Sequence, residues 1–315
     1  MTRVVVVGSF NVDHVWRCDA LPAPGATLAG EYVTGPGGKG FNQAMAARRA
    51  GAETVFVCAL GSDAGGQLAR ALAAADGIDL RDEASDAPTG TAGIFVDADG
   101  RNSIVIGPGA NATLTVAHVE AQGDAIRDAR VVLVQLESPI EVVSTSLGLA
   151  REAGIASVLN TAPANATTTR ELLALADVLT PNESEFAALI ARHTAMAIPA
   201  SAVATAGDDA LHVLCRTLHP SGTVVITLGA MGSFVSHADA AMRGDDAAHY
   251  RVAAESAQVV DTTGAGDAFN GALCASMANR PDARFAQHLG FATQYAARST
   301  ETKGAAAAMP HLQVR

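Results

Sequence analysis

The sequence predicts an α/β fold whose central sheet is mostly parallel, is flanked by helices on both faces and carries a small β lid. Short β-branched runs alternate with alanine-rich helical segments over most of the 315 residues. The strand-like runs are mostly apolar, which is typical of strands that helices cover on both sides. In two places paired strands follow one another with no helix between them, and these predict the lid.

The predicted strands of the central sheet are short runs rich in valine, isoleucine and leucine. They are residues 4–7, 54–60, 131–136, 156–159, 178–180 and 223–228. Helices are predicted between or beside them at residues 41–50, 65–75, 139–153, 168–176, 183–192 and 208–218, and later at 266–278 and 283–297. Because helical crossovers join the strands, neighbouring strands are expected to run parallel.

The lid is predicted from about residues 12–35 and 90–107, within one domain that spans residues 1–315. Its strands are expected at residues 13–16, 28–33, 92–97 and 103–106. The first pair is separated by a proline-rich segment and the second by the turn Ala98-Asp99-Gly100-Arg101. A sheet of this kind has open edges that need a cover, so a homodimer formed lid to lid is expected.

Composition excludes several functional classes. With 32 acidic against 21 basic residues the net charge is −11, which argues against a nucleic-acid or anionic-membrane surface. The four cysteines form no CxxC pair, so buried reduced thiols are expected, and the histidines lack the HExxH spacing of zinc enzymes. The N-terminus has no signal-peptide layout and no apolar run approaches about 18 residues, which predicts a cytoplasmic protein.

The segment Gly264-Ala265-Gly266-Asp267 carries the strongest chemical signal, because small residues directly precede an acid that opens an apolar helix. The first N–H groups of a helix have no intrahelical partner and suit a phosphate or a developing phosphoryl charge. Asp267 would lie beside that anion site as a base for a hydroxyl nucleophile. The same letters also fit a glycine-rich turn with an aspartate helix cap.

A second glycine-rich segment, Gly35-Pro36-Gly37-Gly38-Lys39-Gly40, satisfies the GxGxxG pattern of dinucleotide-binding proteins. That pattern belongs directly after the first core strand, whereas here the glycines follow a predicted lid strand. It is not a P-loop either, since Lys39 is followed by Gly40 and not by serine or threonine. An NAD-binding oxidoreductase is therefore the third choice.

These two segments, together with three between them, resemble the ribokinase branch of the carbohydrate kinase family. The family signatures are Gly37-Gly38-Lys39-Gly40-Phe41-Asn42-Gln43-Ala44 and Asp261-Thr262-Thr263-Gly264-Ala265-Gly266-Asp267. Gln135-Leu136-Glu137-Ser138-Pro139, Thr180-Pro181-Asn182-Glu183-Ser184-Glu185 and Thr227-Leu228-Gly229-Ala230-Met231-Gly232 follow the family's order. The resemblance covers residues 3 to 310 and implies a ribokinase-like fold.

The resemblance implies that one set of residues holds the sugar hydroxyls. These residues are Asn11, Asp13, Gly38, Lys39, Asn42, Glu137 and Asp267. Carboxylates accept hydrogen bonds from vicinal hydroxyls, and lysine and amide groups donate them, so the set suits a polyol. Taken alone, Asn11 and Asp13 also fit turn chemistry, and Lys39 and Asn42 also fit a helix start.

The nucleotide residues implied by the resemblance are Asn182, Glu185, Thr227, Gly229, Gly232 and Gly266, with Glu185 reaching Mg²⁺ through water. A hard cation that keeps its waters needs few protein oxygens. Without the family, the segment from Asn182 to Glu185 would be interpreted as a capping box. ATP and Mg²⁺ are the expected cofactors.

The family also holds a monovalent cation near the anion site. The residues that resemble its ligands are Asp261, Thr263, Ser299, Thr302 and Gly304. Ala308 lies where ribokinases offer a serine hydroxyl, so potassium activation is expected to be weak.

The resemblance implies an ATP-dependent kinase that phosphorylates the primary hydroxyl of a small sugar, D-ribose first. Asp267 would be the general base, and the N–H groups of Gly264, Ala265 and Gly266 would form the anion hole. A kinase of the same family acting on fructose, deoxyribose or a nucleoside is the alternative. A non-catalytic sugar sensor with this fold is the rival outside the class, and the intact segment before Asp267 argues against it.

Overall fold

The computed structural model describes residues 3–312, which form a nine-stranded sheet and a separate four-stranded sheet. The strands are β1 Arg3–Val7, β2 Asn11–Arg17, β3 Glu31–Gly37, β4 Glu53–Gly61, β5 Asp79–Ser85, β6 Gly90–Val96, β7 Asn102–Gly107, β8 Val131–Val134, β9 Ala156–Leu159, β10 Val178–Leu179, β11 Thr223–Thr227, β12 Ser233–Ser236 and β13 His249–Val252. The helices are α1 Lys39–Arg49, α2 Ala64–Asp76, α3 Val116–Ala121, α4 Gly123–Arg127, α5 Ile140–Glu152, α6 Arg170–Leu175, α7 Glu183–His193, α8 Ala200–Val203, α9 Asp208–Leu218, α10 Ala265–Asn279 and α11 Phe285–Ser299.

The large sheet has the strand order β13-β12-β11-β10-β9-β8-β1-β4-β5. All neighbours from β5 to β11 pair in parallel, while β12 and β13 extend the sheet in antiparallel pairs. The prediction of a mostly parallel central sheet is therefore confirmed.

Both faces of the large sheet are covered, because successive strand residues point to opposite sides. In β1, Val4 and Val6 belong to a core cluster shared with α1, α10 and α11. Val5 and Val7 belong to a second cluster shared with α5, α7 and α9. An all-apolar strand buried between two helical layers is the arrangement that the valine run predicts.

Three strands of the large sheet have no counterpart among the predicted elements: β5, β12 and β13. The β5 sequence, DLRDEAS, lies at the sheet edge, where polar side chains reach solvent and no apolar run forms. The other two read SFVS and HYRV, so polar side chains interrupt them and no apolar run marks them. They lie at the opposite end of the sheet.

The small sheet has the order β3-β2-β6-β7 and contains the four lid strands predicted from the sequence. The two antiparallel pairs are joined by parallel pairing of β2 with β6. Strand β3 begins and ends later than the predicted residues 28–33, so Gly35 and Gly37 lie inside it. Glycine and proline hide this strand from a side-chain pattern, because backbone pairing with β2 holds it.

The thiols of Cys58, Cys215 and Cys274 are free and buried, and that of Cys18 is half-buried. The expectation of buried reduced thiols is thus met for three of the four. No helix within residues 3–312 is long and apolar enough to cross a membrane.

Candidate active site

The candidate site is centred on the start of α10. Gly264 precedes the helix in the left-handed conformation, with φ 77°, which glycine adopts without steric cost. The first N–H groups of the helix then point out of its end and carry the positive pole of its dipole. A Cβ built on Gly266 would meet no atom within 4 Å, so this part of the turn faces open space. The geometry is that of an anion site beside Asp267.

Asp267 is held by two side chains from α1. The Nδ2 of Asn42 donates to one carboxylate oxygen (2.9 Å), and the Nε2 of Gln43 donates to the other (2.9 Å). The carboxylate is only 7% exposed. The two glycine-rich motifs, far apart in sequence, therefore meet at one carboxylate. Gln43 has no role among the sequence-based candidates, although it lies within a quoted motif.

Gln43 is itself fixed by side chains that follow two neighbouring strands. It donates to Asn160 Oδ1 (3.0 Å) and accepts from Gln135 Nε2 (2.6 Å). Gln135 follows β8 and Asn160 follows β9, at the carboxyl edge where parallel sheets place ligand groups. A polar residue directly after an apolar strand was the available signal for both.

The hydrogen bonds continue from β9 back to α10. Asn160 donates to the carbonyl of Thr180 (2.9 Å), and the Thr180 hydroxyl donates to Asn270 Oδ1 (2.6 Å). Asn270 then donates to the carbonyl of Gly266 (2.9 Å). Asp267 and the turn that precedes α10 are therefore parts of one buried network, which restricts their relative movement.

The predicted sugar residues lie around the start of α1. The carboxylate of Glu137 accepts from the Ser9 hydroxyl (2.6 Å) and from the backbone N–H of Lys39 (3.0 Å). Asn11 is buried, and its Oδ1 accepts from Asn111 Nδ2 (2.8 Å). Ser9 and Asn111 were not among the sequence-based candidates.

Two glycines and one amide shape this end of the site. A Cβ on Gly37 would lie 2.2 Å from the Asp13 carboxylate, and one on Gly38, with φ 87°, would lie 2.7 Å from the Asn11 nitrogen. Glycine is therefore required for the polar groups to approach the α1 start. The Oδ1 of Asn42 is buried and has no hydrogen-bond partner within residues 3–312. An unpaired buried acceptor of this kind is suited to a ligand hydroxyl.

Carboxylates surround one lysine at the centre of the site. Burial, followed by the charges of Glu137 and Asp267, raises the pKa of Asp13 to about 6. Burial opposes the charged form of Lys39, but Asp267, Glu137 and Glu185 outweigh it and raise the lysine pKa. Burial also raises the pKa of Asp267, against the stabilising effects of Lys39, Asn42 and Gln43. A carboxylate with a raised pKa is a better proton acceptor.

A cavity of about 180 Å³ opens directly onto the anion site. Its lining includes the predicted nucleotide residues Asn182, Glu185 and Thr227, together with Gly264 to Asp267. Asn182 and Glu185 also form the capping box of α7, and Glu185 is buried, which raises its pKa. The capping-box interpretation is therefore confirmed, and the nucleotide role of this segment stays a prediction. Gly229 and Gly232 lie in the turn after β11, outside the lining of this cavity.

A larger cleft of about 820 Å³ separates the small sheet from the segment that precedes α10. One side is formed by the small sheet, including Asp13, Val15 and Ile94. The other side is formed by residues 259–263 and by Lys303, Gly304, Ala305 and Ala307. Asp13 thus lies where the small sheet meets the site.

The predicted monovalent-cation residues are partly brought together. The Asp261 carboxylate accepts from the Thr263 hydroxyl (2.6 Å) and from the N–H of Gly304 (3.0 Å). The Ser299 hydroxyl is instead bonded to the carbonyl of Ala296 (2.7 Å), within its own helix. Thr302 is exposed in the turn that follows α11. Their role towards a cation remains a prediction.

The dinucleotide-binding alternative can be judged by position. Gly35 and Gly37 lie in β3 of the small sheet, and Lys39 begins α1. The dinucleotide pattern requires a turn between the first strand of the parallel sheet and its helix. Here β1 leads into β2 of the small sheet, so that arrangement is absent from the described residues.

Comparison with known proteins gives consistent matches. The model of the pfkB family of carbohydrate kinases matches residues 1–312. The chain is 36% identical to the ribokinase of Haemophilus influenzae over 98% of its own length and 96% of that protein. It is 37% identical to the bifunctional ribokinase/ribose-5-phosphate isomerase A of Fructilactobacillus sanfranciscensis, over 88% of its length but only 49% of that relative. The chain thus spans about half of this relative.

A solved structure supports the same fold. The ribokinase of Arabidopsis thaliana, complexed with ribose and ATP, superposes with a TM-score of 0.79 at 30% sequence identity. The superposition covers 98% of this chain and 95% of that one. The predicted ribokinase-like α/β fold is therefore confirmed.

Proposed function

The chain belongs to the pfkB family of carbohydrate kinases, and we propose that it transfers the γ-phosphoryl group of ATP to the primary hydroxyl of D-ribose. The products are D-ribose 5-phosphate and ADP. Two relatives with full or partial coverage are named for ribokinase activity, and a structurally similar ribokinase binds ribose and ATP.

The buried carboxylate of Asp267 is the observation that carries this proposal. It lies at the helix start that forms the anion site, and two amides orient it. The sugar hydroxyl oxygen attacks the γ-phosphorus while the bond to the bridging oxygen of ADP breaks, and the hydroxyl proton passes to Asp267. The raised pKa of Asp267 favours this proton transfer.

The anion site supplies the electrostatic part of the reaction. N–H groups of Gly264, Ala265 and Gly266 stabilise the charge on the transferring phosphoryl group. The open space at Gly266 leaves room for that group. The protonated Lys39, kept charged by three neighbouring carboxylates, adds a positive charge between the sugar and phosphate regions.

The oxygen-rich cavity beside the anion site fits a hydrated Mg²⁺. Glu185 supplies a buried carboxylate and Asn182 an amide oxygen, and a magnesium ion that keeps its waters needs little more from the protein. When bound, Mg²⁺ would neutralise charge on the β- and γ-phosphates. Thr227 lies on the same wall.

A small polyol fits the acceptor side better than a nucleoside does. Asp13 and Glu137 provide acceptors, Lys39 provides a donor, and Asn42 Oδ1 is an unpaired acceptor. Aromatic residues make up only 4% of the chain, and a nucleobase usually needs an aromatic or apolar slot. We place the small sheet as a lid that excludes water and pairs with a second copy in a homodimer.

The proposal is tested by measuring ATP turnover with ribose, deoxyribose, fructose and a nucleoside, with NADH binding as a control. We expect the highest kcat/KM for ribose and no NADH binding. A higher kcat/KM for fructose or a nucleoside would show that ribose is not the preferred acceptor, while the proposal of a kinase would stand. Absence of turnover with every acceptor would overturn the kinase proposal for this chain.

A further inference from the structure

Arg49, the last residue of α1, lies at the opposite end of the helix from the sugar residues and contacts a different part of the site. Its Nη1 faces three backbone carbonyls, those of Ala306 (3.4 Å), Ala307 (3.3 Å) and Met309 (3.0 Å). One guanidinium nitrogen thus donates hydrogen bonds to three carbonyls of a single short turn.

The other edge of the guanidinium is aligned by Asp76, the last residue of α2. Arg49 Nη2 donates to Asp76 Oδ1 (3.1 Å), and Arg49 Nε donates to Asp76 Oδ2. Both side chains are only 12% exposed. Because the guanidinium is planar, a carboxylate bound along one edge also fixes the direction in which the other edge points. The pair is neutral as a whole, so its effect on the site is geometric.

The turn that Arg49 holds packs against Gly264, the residue that precedes the anion site. A Cβ on Gly264 would lie 2.9 Å from Ala305 Cβ and 3.5 Å from Met309 Cε. Ala305 and Met309 are buried, and Ala306 is completely so. Gly264 is the residue whose left-handed backbone turns its neighbours' N–H groups towards the phosphate region. Movement of the turn would therefore move the anion hole.

The ends of this segment are fixed independently of the Arg49 side chain. Gly304 N–H is bonded to Asp261 (3.0 Å), the Pro310 carbonyl to the Tyr295 hydroxyl (2.7 Å), and Leu312 N–H to the Arg49 carbonyl (3.0 Å). The middle of the segment is the part that the guanidinium orders.

We propose that Arg49 is a positioning residue for phosphoryl transfer, which acts by fixing the turn of residues 305–309 beneath the anion hole. This inference rests on the proposed kinase function. Arg49 touches neither sugar nor phosphate in this scheme. Its loss would alter the distance between the anion hole and Asp267 while leaving the sugar contacts of Lys39 and Asn42 in place. Displacements near an ångström lower catalytic rates strongly.

The test compares Arg49→Lys with Arg48→Lys. Arg48 precedes Arg49 in the same helix and donates its Nε to the backbone carbonyl of Asp76 (2.8 Å), which is not part of the turn. Both variants keep the positive charge and lose a planar fork. For each variant we would measure kcat, the KM values for sugar and ATP, the Kd for sugar without nucleotide, and Tm.

We expect Arg49→Lys to lower kcat about tenfold or more with an unchanged sugar Kd. Arg48→Lys should keep the wild-type kcat, although its Tm should fall about as much as that of Arg49→Lys. Asp76→Asn is a second route to the same effect, because it leaves the guanidinium in place and removes the charge that aligns it. The double variant with Arg49→Lys should be no slower than the slower single variant.

Wild-type kcat in both Arg49→Lys and Asp76→Asn would overturn the positioning role. An equal fall of kcat in Arg48→Lys would also overturn it, since the effect would then be general destabilisation of the helix end. A wild-type protein without ATP turnover on any sugar would overturn the kinase proposal and this inference together. An active wild type with fully active variants would overturn this inference alone.

Discussion

The start of α10 and the small sheet differ in how firmly their side chains are held. Asp267 is 7% exposed, and both its oxygens accept hydrogen bonds. Val105, on the edge strand of the small sheet, is 67% exposed, and every residue of β7 is exposed. The first region is organised before any substrate arrives, whereas the second still has apolar surface to cover.

This difference suits the two regions to different tasks, the start of α10 to phosphoryl transfer and the small sheet to admitting the sugar. Groups that must meet a phosphoryl group in a fixed geometry gain from a rigid network, because no reorganisation is then needed during the reaction. Groups that admit and enclose a sugar must move or find a partner. Changes near α10 should therefore act on kcat, and changes in the small sheet on sugar binding.

The largest effect is expected for Asp267→Asn. The substitution keeps the size of the side chain but removes the proton acceptor, so kcat should fall roughly 10²-fold or more. An asparagine oxygen can replace only one of the two carboxylate oxygens that accept from Asn42 and Gln43, so Tm should fall somewhat, while the sugar Kd should change little. Steady-state kinetics with calorimetric sugar binding would check this, and a variant within a few-fold of wild-type kcat would remove Asp267 from the proposed mechanism.

Asp13→Ala should act on binding instead. Loss of one partner of a buried hydroxyl costs about 1–3 kcal/mol, which corresponds to roughly 5- to 150-fold in the ribose KM. The KM for ATP should stay the same. If the KM values for deoxyribose and ribose rise by the same factor, the carboxylate does not contact the hydroxyl that distinguishes the two sugars. An unchanged ribose KM would place Asp13 outside the sugar site.

The same carboxylate predicts a pH dependence of sugar binding. The pKa of Asp13 is raised to about 6 by burial and by two neighbouring carboxylates. The accepting carboxylate is therefore present above about pH 6 and lost as the pH falls below it. Affinity should decline below that pH by up to about tenfold per unit. Asp13→Asn should abolish the decline. The sugar Kd is measured without nucleotide, so that groups which titrate in the chemical step do not contribute.

Val105→Glu should break the proposed dimer. Val105 faces away from the cleft, because its neighbour Ile104 lines it and strand side chains alternate. We expect monomers with a sugar KM raised several-fold and little change in kcat. Val213→Glu is the matched control, an exposed valine on α9 changed in the same way. Sedimentation at micromolar concentration measures the assembly, and a wild-type monomer would contradict the dimer.

Ala308→Ser is expected to have the smallest effect. A hard cation short of one oxygen ligand binds less tightly. The wild type should therefore show weak activation by potassium, and the added hydroxyl should strengthen it a few-fold. Rates in potassium and in a large organic cation would be compared, and strong low-millimolar activation of the wild type would show the prediction to be wrong.

Much of the fold was predictable because burial on both faces leaves a direct trace in the sequence. The valine run of β1 and the apolar, β-branched runs of β4, β8 and β11 are typical of strands covered by helices. Edge strand β5 leaves no such trace, since solvent accepts its polar side chains. Strand β3 was placed too early for a related reason, because its glycines and proline are held by backbone pairing.

The members of the candidate site that belong to the quoted sequence motifs were predictable. Asp267, its glycines and Lys39 line one cavity together with Asn182 and Glu185. Asn42 is bonded to Asp267, and Glu137 is bonded to the N–H of Lys39. Gln43, Asn160 and Thr180 were missed as members of the network. A polar residue in a helix or after a strand is common on protein surfaces. No local pattern identifies a hydrogen-bond partner that lies 90 to 224 residues away in the sequence.

By itself the sequence determined most of the buried strands, the helices that cover them and the candidate residues for phosphoryl transfer, because side-chain polarity and glycine content act locally. The tertiary structure decided which amides hold Asp267, which turn lies under Gly264, and which apolar strand is left exposed. Those features depend on distances between elements remote in sequence. Such distances follow from the packing of the whole core, which no local pattern contains.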